Sequence, residues 1–290
     1  MNCQRFFLHF ALLSLLSFVF LSSANAQQDL VAADPSQSSP QTPGTDIPAG
    51  PVPEKVPTNF VEAGGSYQQL TNGFGDWSGG YANGVFVTGK NTWNAEINGE
   101  HEFGDAGVYM AAGDTYNFNP DWYGSLTFGS SVGGFFWPRF RADAFVNHKS
   151  SVRKQFITTL GYGYVASKDV HRDQSVFLGT AYYFARPWII EDGVRFNISN
   201  PGVAFSPSGF VAVTEGRNES HFVTVNAGFG QEAYQLVGPA TVLTRFSSEN
   251  LTLTWRQWIG KNWGFNFVAN YYHSPFYVRG GGSFGVFKEF

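Results

Sequence analysis

Residues 92–103 alternate: Thr92, Asn94, Glu96, Asn98, Glu100 and Glu102 form one face, and Trp93, Ala95, Ile97, Gly99 and Phe103 most of the other. A period of two is that of an extended strand with one polar and one apolar side. The pattern recurs in 188–199, where Glu191, Arg195, Asn197 and Ser199 oppose Trp188, Ile190, Val194, Phe196 and Ile198. It recurs again in 251–259, with Leu251, Leu253, Trp255 and Ile259 against Thr252, Thr254 and Arg256. Two polar residues, His101 and Asp192, fall on the apolar face and are placed near a membrane interface. From residue 59 onward no stretch of about 18 apolar residues exists, which excludes a helical membrane protein. Only 14% of residues are charged and 18% are aromatic, a balance unlike that of an ordinary water-soluble domain. The net charge of -4 excludes a basic nucleic-acid footprint.

The chain divides into three. In residues 1–26, Arg5 precedes an apolar run ending near Leu21, and Ala24-Asn25-Ala26 forms a small-residue cleavage site, so a secretory signal peptide is expected. Its removal takes away Cys3, the only cysteine, and with it disulfide, thiolate-metal and thiol-nucleophile chemistry. Residues 27–58 hold half of the 14 prolines among Ser, Gln, Thr and Gly, a composition that cannot bury a core, and read as a disordered periplasmic linker. Residues 59–290 carry the alternation.

Alternation alone also fits a soluble sandwich or a lipocalin-like barrel, and the punctuation between strands decides. Short turns recur just before a tryptophan: Gly89-Lys90-Asn91 before Trp93, Asn119-Pro120-Asp121 before Trp122, Ala185-Arg186-Pro187 before Trp188, and Gly260-Lys261-Asn262 before Trp263. Those four tryptophans mark an aromatic girdle where strands re-enter lipid from the periplasm. The intervening connections, 130–135, 167–173, 200–208, 236–244 and 274–280, read as cell-surface loops. The count predicts an all-β, transmembrane, up-and-down antiparallel barrel in the outer membrane, of about fourteen strands, twelve being the nearest alternative. Phe284, Val286 and Phe290 share one register at the carboxyl end and resemble the signal read by the barrel-assembly machinery, with Lys288 departing from that pattern.

Longer stretches carry a family resemblance. They include Gly75-Asp76-Trp77 with Gly80-Tyr81, Phe103-Gly104-Asp105 with Gly107, and the run from Phe118-Asn119-Pro120-Asp121-Trp122 through Gly133-Gly134-Phe135-Phe136 to Arg141-Ala142-Asp143. Asn200-Pro201-Gly202, Thr254-Trp255-Arg256-Gln257-Trp258 and Gly285-Val286-Phe287-Lys288-Glu289-Phe290 continue it. Across 59–290 the chain resembles the YaiO family of outer-membrane β-barrels. The resemblance implies an outer-membrane barrel associated with surface exopolysaccharide, and implies neither an activity nor defined functional residues.

Function has to be read from the polar face, which lines a lumen or a packed plug. The lumen-lining candidates are Glu62, Glu96, Glu100 and Glu102 on early strands, Arg139, Arg141 and Asp143 on a middle one, and Glu191, Arg195 and Arg256 on later ones. Opposite charges on opposite walls would set a transverse field and tune selectivity; direct pairs would close the lumen. The leading expectation is a passive pore or surface-polysaccharide conduit, followed by a closed structural or envelope-interaction barrel, then a lipid-modifying enzyme at the rim. Most of Tyr81, Tyr109, Tyr162, Tyr164, Tyr182, Tyr183, Tyr271 and Tyr272 are assigned to girdles or outer wall, although the adjacent pairs must each place one ring inward. Gly129-Ser130-Ser131-Val132-Gly133 matches G-x-S-x-G but is expected in a hairpin loop, not the strand-turn-helix a nucleophile elbow needs. The histidines show no metal-ligand spacing, and no metal or cofactor is expected. His171 is expected exposed, in a charged loop able to meet lipopolysaccharide phosphates. Gly280-Gly281-Gly282 reads as a kink or bulge. The expected partners are outer-membrane lipid, lipopolysaccharide and the barrel-assembly machinery, with surface polysaccharide as solute.

Overall fold

A computed structural model describes residues 59–150, 154–184, 187–235 and 242–290. The expected signal peptide and linker lie outside them. Fourteen strands follow one another: β1 (Phe60–Leu70), β2 (Asp76–Thr88), β3 (Asn91–Glu102), β4 (Asp105–Asn117), β5 (Trp122–Gly133), β6 (Phe140–Ser150) and β7 (Phe156–Ala166). Then come β8 (Arg172–Tyr183), β9 (Trp188–Asn200), β10 (Ala204–Arg217), β11 (His221–Gln235), β12 (Val242–Gly260), β13 (Trp263–His273) and β14 (Val278–Glu289). Each pairs antiparallel with its sequence neighbours, and β1 pairs β14, closing the sheet into one barrel. Closure removes every sheet edge, which a backbone in lipid requires.

Burial follows the alternation. Val61, Ile97, Met110, Phe128, Leu160, Leu178, Val194, Phe196, Val225, Leu253, Phe267 and Phe284 are exposed on the outer face, an apolar belt around the whole wall. Their sequence neighbours point inward and are buried or half-buried. Trp93, Trp122, Trp188 and Trp263 stand outward at the end of the barrel where β1 begins and β14 ends, Phe290 N–H donating to the Asn59 carbonyl there. The turns at that end are built as the composition suggests. Gly89 takes φ +62°, and Asn119 Oδ1 accepts from the amides of Asp121 and Trp122 in an Asx turn. Phe284, Val286 and Phe290 also face outward, while Lys288 reaches the rim and donates to Asn262 Oδ1 at 2.8 Å. Its departure from an apolar pattern thus costs nothing in lipid.

Several connections are shorter than the composition suggests. β5 runs on to Gly133, so the β5–β6 connection is 134–139, and 201–203 joins β9 to β10. The 280–282 glycines form no bulge: β14 keeps an unbroken register with β1 and β13. Gly281 and Gly282 are needed for close approach instead. A Cβ on Gly281 would lie 2.2 Å from the Tyr67 carbonyl, and one on Gly282 2.0 Å from that of Val268.

Two turns at the tryptophan end are tied by Lys154, whose Nζ lies 2.9 Å from Asp121 Oδ1 and 3.2 Å from the Pro120 carbonyl. The hydrogen bond from Lys154 holds the Asp121 carboxyl below the usual carboxylate range. A lowered folded-state pKa stabilises the fold above the unfolded value, and that contribution is lost as pH falls through the folded one. In Lys154→Met, the Asp121 carboxyl resonance followed by NMR should therefore titrate at higher pH than in the parent. An unchanged midpoint would remove the tie.

Candidate functional site

Among the described residues the inward face is the surface that combines charge, burial and convergence. Glu62, Glu96, Glu100, Glu102, Arg141, Asp143, Glu191, Arg195 and Arg256 all sit at its inward positions. Arg139 does not: it lies exposed in the 134–139 connection, one residue before β6, where its carbonyl accepts from Ser130 Oγ. Alternation cannot place a residue beyond a strand's end.

Towards the tryptophan end the charges pair directly. Glu62 is 4% exposed and receives Tyr81 Oη at 3.0 Å, Arg256 Nη1 at 3.2 Å and Asn266 Nδ2 at 2.7 Å. The Arg256 guanidinium lies over the Phe287 ring at 3.7 Å, with Phe60 and Trp258 about it at 4.9 and 5.1 Å. Tyr81 reaches Glu62 by crossing two bare positions: Gly64 and Gly285 are its in-line neighbours on β1 and β14. A Cβ on Gly64 would meet the ring at 2.6 Å, and one on Gly285 its hydroxyl at 2.2 Å. This knot spans β12, β13, β14, β1 and β2, and so locks the strand pair that closes the barrel.

Midway, Arg141 Nε meets Asp143 Oδ2, and Arg195 Nη1 donates to Ser175 Oγ at 2.9 Å. Glu96 faces Arg141 from β3. An aromatic arc lines β6 to β10: Phe145, Phe177 and Phe210 point inward and lie across inward glycines 161, 179 and 193. The opposite arc is polar, with Glu62, Asn83, Asn94, Asn98, Thr252, Asn266 and Asn270 inward.

The far end is narrowed by rings. Phe136, Trp137 and Pro138 of the 134–139 connection are almost completely buried, Trp137 stacking on Tyr109 at 4.9 Å and 11°. Lys168 Nζ holds this connection by donating to the Gly134 carbonyl at 2.7 Å, and Phe135 N–H donates to Asp105 Oδ2. Burial pushes the Lys168 amine below the ordinary lysine value, opposed by the Asp105 carboxylate. Phe103 joins Phe135 to a second cluster of Leu70, Trp77, Tyr272 and Tyr277. Arg279 lies over Trp77 at 4.4 Å and over Tyr272 at 5.0 Å, and Tyr272 Oη donates to Glu232 Oε1 at 2.6 Å.

Three expectations change. Half of the eight tyrosines point inward, namely Tyr81, Tyr109, Tyr183 and Tyr272; at least Tyr81 and Tyr109 do so because an inward glycine on a neighbouring strand leaves room. His171 is 8% exposed: Nδ1 meets Asp169 Oδ2 at 2.7 Å, and Arg172 donates to the carbonyls of Ser167 and Asp169, so the loop folds on itself. Ser131 lies within β5 and its hydroxyl donates to the Pro138 carbonyl at 2.6 Å, so the G-x-S-x-G segment anchors the inward connection. Glu232, Arg279 and Asn266, each at an inward position with a named partner, are missed by the alternation argument, and Trp258 and Phe287 enter the sequence reading only through the family stretches.

The fold has known counterparts. The structure is similar to a monoaromatic hydrocarbon channel, CymD (6% identity, 80% of this chain and 88% of that chain, TM-score 0.55). It is also similar to an outer membrane channel from Pseudomonas putida F1 (8% identity, 86% and 100%, TM-score 0.51). A bacterial polysaccharide outer membrane secretin gives 9% identity, 80% and 98%, and TM-score 0.50. Identities so low establish the fold alone. Among curated proteins none matches. A family model, that of the YaiO membrane beta barrel domain, matches residues 58–235.

Proposed function

Because this chain belongs to the YaiO membrane beta-barrel family, we propose that it is a passive outer-membrane channel for small hydrophilic solutes, saccharides of the cell surface among them. The observation that carries this reading is the polarity and partial exposure of the inner wall. Asn83, Asn94, Glu96, Asn98, Glu191, Thr252 and Asn270 stand half-exposed at inward positions. Polar side chains turned away from lipid and left half-exposed are what a water-filled lumen presents, and they support an aqueous passage. Among the described residues acidic side chains outnumber basic ones on that wall: Glu62, Glu96, Glu100, Glu102, Asp105, Asp143, Asp173, Glu191, Glu232 and Glu289 against Arg141, Lys149, Arg195, Arg256 and Arg279. Fixed negative charge in a narrow passage concentrates cations and excludes anions. Lipopolysaccharide and the barrel-assembly machinery are the partners this reading supposes, and the outward Phe284, Val286 and Phe290 are the residues the machinery would read.

A closed envelope barrel is the second reading, favoured by the ring cluster at the far end and by the direct Glu62–Arg256 pair. Liposome swelling with uncharged sugars of increasing size separates the two. The channel reading expects swelling with monosaccharides that weakens as solute size grows. Liposomes holding a correctly folded barrel that remain tight to every solute would favour the closed one.

A further inference from the structure

We infer that the Arg195 wall of the lumen is a subsite for a small ring compound bearing a carboxylate. Arg195 is inward and half-buried, and its contacts are Ser175 Oγ at 2.9 Å and the Phe177 ring at 5.5 Å. Among the described residues no carboxylate lies within 4.0 Å of it; Asp143, the nearby acid, is engaged by Arg141. Two guanidinium groups thus share one carboxylate on this wall. Glu96 faces Arg141, not Arg195, from β3, and Glu191 stands four residues along β9, about 13 Å away at strand rise. A desolvated guanidinium is a strong, bidentate receptor for a carboxylate.

The surroundings are shaped as well as charged. Gly163 is bare, and a Cβ there would lie 2.8 Å from Ser175 Oγ, 2.9 Å from Asp143 Oδ1 and 3.4 Å from Arg195 Nη1, so the missing side chain is what lets these polar atoms converge. Beside it lie two parallel rings: the planes of Phe177 and Phe210 differ by 8°, with centroids 6.3 Å apart. Cβ atoms on Gly179 and Gly193 would meet Phe177 at 2.7 and 2.5 Å, and one on Gly193 would meet Phe210 at 2.7 Å. Both rings are inward and close over the bare Gly193. A solute whose carboxylate meets Arg195 can therefore set an apolar ring against them. An aromatic acid and a uronic sugar share that chemistry.

The inference rests on a lumen that solutes enter, and its test reads the two separately. Benzoate, glucuronate and their neutral counterparts, benzyl alcohol and glucose, are titrated calorimetrically into the refolded, heat-modifiable protein, with ionic current recorded from the same preparation. Binding of either acid but of neither neutral compound is expected. Loss of a charge-assisted contact should weaken it by roughly tenfold or more in Arg195→Gln. Gly163→Ala, which keeps the charge but pushes Ser175, Asp143 and Arg195 out of their arrangement, should weaken it as well, and serves if Arg195→Gln does not fold. Benzoate alone would name an aromatic acid as solute, glucuronate alone an acidic saccharide. Equal binding of the neutral compounds, undiminished binding in the variants, or no binding in a preparation that conducts would overturn the subsite and leave the channel standing. Absence of both binding and current would overturn both.

Discussion

Glu62→Ala will unfold at markedly lower denaturant concentration than the parent barrel, by about 3 to 5 kcal/mol, the usual cost of removing one partner from a buried ion pair. Glu62 is almost wholly buried and collects Tyr81, Arg256 and Asn266 on its two oxygens. Its loss takes the carboxylate away from a guanidinium enclosed by Phe60, Trp258 and Phe287, where the energetic cost is that of the abandoned charge more than of the lost bond. Glu62→Gln keeps acceptor and shape and should lose less. Urea unfolding in lipid vesicles, followed by heat modifiability, reads the difference. Parent-like stability in Glu62→Ala would mean that the closing strands do not depend on this knot.

Leu178→Arg should cost about 2 to 4 kcal/mol, as charged side chains do at the bilayer midplane of a barrel's lipid face. Leu178 lies midway along β8, exposed, between Leu160 of β7 and Val194 of β9, each also exposed and midway along its strand. In water the same substitution on an already exposed residue would be nearly neutral. The sign and size of the effect in vesicles against detergent therefore measure whether this belt meets hydrocarbon. A change near zero in both would contradict a membrane-spanning wall.

Much of the wall was legible because a strand has only two faces. Once Glu96, Glu100 and Glu102 shared one side and Trp93 and Ile97 the other, the assignment of inside and outside followed for β3 without any tertiary information. The turns were legible where chemistry forces them, as at Gly89 and Asn119. What escaped depends on neighbours far apart in sequence. Tyr81 and Tyr109 look like girdle residues until Gly64, Gly285 and Gly129 are seen beside them, and that adjacency is set by strand register. The inward fold of 134–139 had a trace in the chain: Phe135, Phe136 and Trp137 in succession are too apolar for a solvated loop. Arg195 was legible as an inward residue, whereas its partnership with Ser175 and the bare Gly163 was not, because β7, β8 and β9 meet there only in three dimensions.

The central claim is an open, acidic, water-filled lumen, and planar-bilayer recording of the refolded protein across a potassium chloride gradient tests it most directly. The account predicts discrete conductance steps with a zero-current potential on the cation-selective side, shifted toward neutrality by Glu96→Gln. Persistent silence from a folded barrel, or selectivity for chloride, would contradict it.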